Sequence, residues 1–116
     1  MSGSAHDQFE LLRFLCNLAD QVVATRMVNL SRETIASLRE RVAAARTVLL
    51  DDDAPRLIDY EAACAVECMA ELAYARADQS KPREDRAVMY LNTLRNFMRG
   101  DLNIAERKSG RTVTVR

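Results

Sequence analysis

Ile35, Leu38, Val42, Ala45 and Leu49 recur at intervals of three, four, three and four residues. That spacing places apolar side chains along one narrow stripe of an α-helix, and no β-strand, whose period is two, reproduces it. The stripe is the kind of seam by which a helix packs into a bundle. Beside it Arg32, Arg39 and Arg46 stand seven apart and so share a row.

The same period runs through most of the chain. Helix 1 is read over 7–28. Stepping at about 100° per residue gathers Phe14, Leu18, Leu11, Val22, Leu15, Leu12, Val23, Cys16 and Phe9 on one wide arc. Glu10, Arg13, Asn17, Asp20 and Gln21 lie opposite. Helix 2 is read over 32–50. Ser31 is its N-cap, because the hydroxyl accepts from an otherwise unpaired backbone N–H, and Leu30 with Ile35 forms a hydrophobic staple across the cap.

Helix 3 is read over 54–78. Asp52 or Asp53 caps it, and Pro55 is tolerated in a first turn, where its missing N–H costs nothing. Its apolar arc is the widest: Leu57, Cys68, Leu72, Ala65, Ile58, Met69, Ala62, Ala73 and Val66. Many of these are small, which lets neighbouring helices approach. Helix 4 is read over 82–99, from Ser80 as cap to Gly100 as C-terminal glycine. Val88, Leu91, Leu94 and Met98 form its inner face with Tyr90 and Phe97 beside them, and Met89 is expected outside.

Only three glycines and two prolines occur in 116 residues. A fold of many short strands needs more turn residues than that. The expectation is an all-α protein: a flexible 1–6, an antiparallel four-helix bundle over 7–100, and a basic tail over 101–116. In the tail, RTVTVR alternates polar and β-branched residues after KSG, which is suited to a turn. The tail therefore reads as a small β-hairpin, as a strand that orders on a partner, or as disordered.

Charge excludes some functions. Acidic and basic residues balance at 17 each, so no overall field draws the chain to nucleic acid or a membrane. The balance is uneven: residues 1–94 carry 11 basic and 15 acidic side chains, and 95–116 carry 6 and 2. No apolar run approaches the ~18 residues of a membrane span. The N-terminal MSGSAHDQ is polar and three cysteines cannot all pair, so a cytoplasmic protein with reduced thiols is expected.

The cysteines Cys64 and Cys68 are four apart, as are Glu67 and Glu71. Side chains so spaced on a helix sit ~5–6 Å apart at Cβ, too far for an easy disulfide. A zinc site would need two more donors, with only Cys16 and His6 to offer. The thiols are read as small packing residues, with Cys64 at the edge of the arc the one open to reaction. The acids lack the Glu-x-x-His partners of a di-iron bundle and are read as a solvated strip or as partners for the arginine row. DDDAPRLIDYE lacks the ligand spacing of an EF-hand. The only histidine is His6, no serine lies in G-x-S-x-G, and no glycine-rich phosphate loop occurs. No metal, cofactor or catalytic residue is assigned.

Two functional classes remain. In the favoured one the chain is non-enzymatic and binds another protein stoichiometrically through an exposed strip of Tyr60, Glu67, Glu71 and Tyr74, since tyrosine and arginine are enriched at binding hot spots. Immunity proteins, secretion chaperones and phage-encoded inhibitors of host defence are small helical proteins of this sort. The breadth of the apolar arcs adds the expectation of a homodimer. In the alternative, Arg32, Arg39 and Arg46 with Arg107, Lys108, Arg111 and Arg116 of the tail contact nucleic-acid phosphates. Glu33 and Glu40 on the same helix stand against it.

Overall fold

The chain folds into four helices: α1 (Ala5–Thr25), α2 (Arg32–Thr47), α3 (Tyr60–Ala77) and α4 (Lys81–Ser109). The computed structural model describes residues 5–25, 30–47, 58 and 60–109. Among these residues there is no strand, and the fold is all-α. The expected helix ends at 26–28 and 48–50, the residues at 54–57 and the aspartate cap of helix 3 lie outside the described residues.

Local chemistry sets the boundaries that can be followed. Ser31 caps α2: its Oγ accepts from the Thr34 N–H at 3.1 Å and its carbonyl from the Ile35 N–H at 3.0 Å. Leu30 and Ile35 are both buried, as a staple requires. At the far end of α3 the Ser80 N–H reaches the Ala75 carbonyl at 2.8 Å, and the Gln79 N–H reaches Arg76 at 3.1 Å. These are the two bonds of a Schellman stop, and they hold Gln79 at φ 55°. The Ser80 carbonyl then opens α4, accepting from the Glu84 N–H at 3.0 Å.

Two expectations are corrected. Ile58, read inside helix 3, sits in a bend, and α3 is described from Tyr60. Helix 4 does not stop at Gly100 but runs nine residues further, so 101–109 are helical and not β-prone. Lys108 and Ser109 of KSG belong to the helix, and 110–116, with the rest of the expected hairpin, lie outside the described residues. The reason is burial. Leu102 and Ala105 continue the inward row of Leu91 and Met98. Burying one leucine is worth about 1.5–3 kcal/mol, against roughly 1 kcal/mol for a glycine inside a helix.

With 29 residues α4 is about 43 Å long and spans the 45 Å long axis of the molecule. On one flank it packs α1, tied by Arg95–Asp20 at 3.0 Å, Arg99–Asp20, and Arg13–Glu106 at 3.3 Å. On the other it packs α3, which in turn packs α2. The core is Leu12, Leu15, Val22, Met69, Leu72, Leu91 and Met98 with a spread of alanines on α3. One polar side chain joins it. Gln8 is 1% exposed, donates from Nε2 to the Ala45 carbonyl at 3.2 Å, and accepts from the Ile58 N–H at 3.4 Å.

Three apolar side chains read on or beside the inner arcs are exposed. Phe14, at one edge of the helix 1 arc, is 45% exposed, with the Arg41 guanidinium 5.5 Å from its ring centre. The arc was wider than the face that finds a partner, and α1 buries the side around Leu12, Leu15 and Ala19. Tyr90 and Phe97 are likewise outside, for α4 turns the Leu91–Met98 row inward and leaves the next row to solvent.

Candidate functional site

The exposed side of α3 is a single row: Tyr60, Glu67 and Tyr74, seven apart. The flank toward α4 carries Cys64, Cys68 and Glu71. Here α3 and α4 part to leave an open groove of about 540 Å³. Its floor is apolar and small, made of Ala63, Cys64 and Cys68 from α3 and Ala87 from α4. Tyr60 and Tyr90, both exposed, lie along it.

Two arginine forks brace the groove. From α2, Arg39 sends Nε and Nη2 to the two oxygens of Glu67, each at 2.8 Å. From α4, Arg83 sends Nε and Nη2 to Glu71 at 2.9 and 3.2 Å, and Nη1 to Asp78 at 2.7 Å. Such bidentate pairs are charge-assisted and fix geometry as well as charge. The hydrogen bonds from Arg39 and Arg83 hold the Glu67 and Glu71 carboxyls below the usual carboxylate range. Both acids are thus ionised and spoken for at neutral pH.

The remaining rim charges are Arg46 and Arg86, and neither has a carboxylate within ion-pair distance among the described residues. The groove thus offers two positive charges without a direct ion pair over an apolar floor, Arg86 adding at longer range to the field that lowers Glu71. Burial, then the nearby Cys64, Glu67 and Glu71, push the Cys68 thiol up. A hydrogen bond with Cys64 pushes the Tyr60 hydroxyl up. On α1, Cys16 is pushed up to about 11, chiefly by burial. No cluster of three His, Cys, Asp or Glu is placed to hold a metal ion among the described residues.

Of the four residues singled out in the sequence, the structure brings Tyr60, Glu67 and Glu71 together along the groove and sets Tyr74 apart. Tyr74 borders a smaller hollow of about 260 Å³ between α2 and α3, shared with Leu30, Arg32 and Ile35. The arginine row of α2 is exposed but divided among different tasks. Arg32 borders that hollow, Arg39 is bound to Glu67, and Arg46 reaches the groove. Arg107 is exposed on α4. The side chain of Lys108, and all of Arg111 and Arg116, fall outside the described residues. Sequence reasoning missed Arg83, Arg86 and Tyr90. The only signal was the helical spacing of Arg83, Arg86 and Tyr90 on the outward side of α4 (three and four apart), which says nothing about α3 lying next to them. No helix is long and apolar enough to cross a membrane among the described residues. No protein-family model, no curated protein and no solved structure matches this chain.

Proposed function

We propose that the chain is a small protein-binding module, an antiparallel four-helix scaffold that acts by stoichiometric contact with another protein. The α3–α4 groove is its binding site, and its occupant is an amphipathic segment that brings small apolar side chains to the floor and carboxylates to the rim. One observation supports this above the rest. Glu67 and Glu71 are already satisfied within the chain, while Arg46 and Arg86 are not, so the charge the groove still lacks is negative. The chemistry of the groove points the same way: acids held ionised by arginine and a thiol held protonated suit a surface that binds rather than one that moves protons. A nucleic-acid contact through α2 is less well supported, because Arg39, the middle of its row, is committed to Glu67.

The test is capture from lysate of the native source with three baits: wild type, Arg46→Glu/Arg86→Glu, and Ala63→Trp, which fills the floor. A protein retained one-to-one by the first and lost by the other two is the expected result. A partner indifferent to both variants places the site elsewhere. Retention of nucleic acid in place of protein, falling steeply with salt, favours the α2 reading.

A further inference from the structure

A second apolar feature continues from the groove along α4. Tyr90, Phe97 and Ile104 stand seven apart and are 56%, 55% and 46% exposed, with Leu94 half-buried at their side. A row at this spacing is how one helix presents a seam to another. The three half-exposed side chains leave on the order of 300 Å² of apolar surface, within the size range of the largest patch on a monomer, which is often functional. That is less than half of the ~800 Å² each partner contributes to a stable dimer, the rest being available from the polar flanks.

We infer that this face of α4 pairs with the same face of a second copy, antiparallel, about a two-fold axis crossing the helix between Thr93 and Leu94. A two-fold pairing must be self-complementary, and this register is. It sets Tyr90 against the second copy's Phe97, twice. It sets Arg86 against the second copy's Asp101, also twice. Within the chain neither Arg86 nor Asp101 makes an ion pair among the described residues, and they are fifteen positions apart on the flank of the row. In the same register Ile104 meets the methylenes of the second copy's Arg83, whose guanidinium remains on Glu71 and Asp78.

The second copy's Asp101 thereby supplies to Arg86 the carboxylate that the groove rim lacks. Resting on the groove reading above, the dimer covers Tyr90 and Arg86 and competes with the partner. Ile104 lies off the groove, so its substitution separates the two ideas.

Sedimentation equilibrium at micromolar concentration reads the proposal. Wild type sediments as a dimer, and Phe97→Asp and Ile104→Asp sediment as monomers with unchanged helical circular dichroism. Arg86→Asp weakens the dimer at least about tenfold, and Arg86→Asp/Asp101→Arg restores it. A monomeric wild type overturns the proposal, as does a dimer unmoved by Phe97→Asp. A charge swap that fails to restore association overturns the register. Ile104→Asp retains any partner captured by wild type, so loss of the dimer and loss of partner binding are read separately.

Discussion

Arg39 on α2 holds Glu67 on α3 with both arms of its guanidinium, Nε to Oε2 and Nη2 to Oε1, each at 2.8 Å. The contact joins what the sequence presents as two separate features, a row of arginines and a strip of acids. Arg39 and Glu67 cancel each other, and among the charges lining the groove Arg46 and Arg86 are left without a direct ion pair.

The pairing sets the titration of Glu67. The hydrogen bond from Arg39 lowers its pKa below the ordinary 4.5. A carboxyl lowered in the folded state contributes stability that is complete above its unfolded pKa and is lost as pH falls through the folded one. Arg39→Ala is therefore expected to return the Glu67 titration upward toward 4.5 and leave the Glu71 titration in place, since Glu71 answers to Arg83. Carboxyl-detected NMR across acid pH reads both. An unmoved Glu67 would mean that the fork is open in solution. Both side chains are largely exposed, so added salt weakens the effect.

The thiols have a predicted order of reaction. Cys64 opens half-buried on the groove, Cys68 is pushed up by burial and neighbouring charge, and Cys16 is buried with its thiol at about 11. Thiolate is the reacting form, so iodoacetamide at pH 8 alkylates Cys64 first, Cys68 later, and Cys16 only as the chain unfolds. Peptide mass spectrometry over a time course checks this. Equal rates at Cys16 and Cys64 would contradict the packing of α1 on α4. A protein seated in the groove would protect Cys64 and leave Cys16 unchanged.

The all-α class was legible because helical period survives in a single sequence, and the Ser31 cap with its Leu30–Ile35 staple was legible because caps are local. The end of α4 was not. Gly100 is a good stop signal in isolation, but Leu102 and Ala105 gain more by burial on α1 than the glycine costs. Phe14, Tyr90 and Phe97 show the same limit on the other side. A broad apolar arc states which side chains are able to be buried, and the neighbouring helices decide which of them are. The groove depended on α3 and α4 lying side by side with Arg83 beside Glu71, a relation that periodicity within each helix does not contain.

Among the described residues Gln8 is the polar side chain buried in the core. Its side-chain amide gives a partner to the Ala45 carbonyl and to the Ile58 N–H, at the point where α1, α2 and the entry to α3 meet. Gln8→Leu keeps the volume and strands both backbone groups. Leaving a buried donor or acceptor unpaired costs about 1–3 kcal/mol each, so a loss of roughly 2–6 kcal/mol is expected. Urea unfolding measures it. A change below about 0.5 kcal/mol, the size of an ordinary surface substitution, would show that water takes over both contacts.

Gly100 gives the opposite sign. It lies inside α4, and a Cβ added there meets nothing within 4 Å. Alanine keeps the helix and restricts the unfolded chain, so Gly100→Ala is expected to stabilise by roughly 1 kcal/mol. For a chain of this length that raises the melting midpoint by about 4 °C. Thermal circular dichroism reads the shift, and dilution below the dimer range separates folding from association. A gain at low concentration that vanishes at high concentration would place the second copy's backbone against Gly100, an approach too close for a methyl group. A loss at every concentration would remove the premise that the helix passes through Gly100 unstrained.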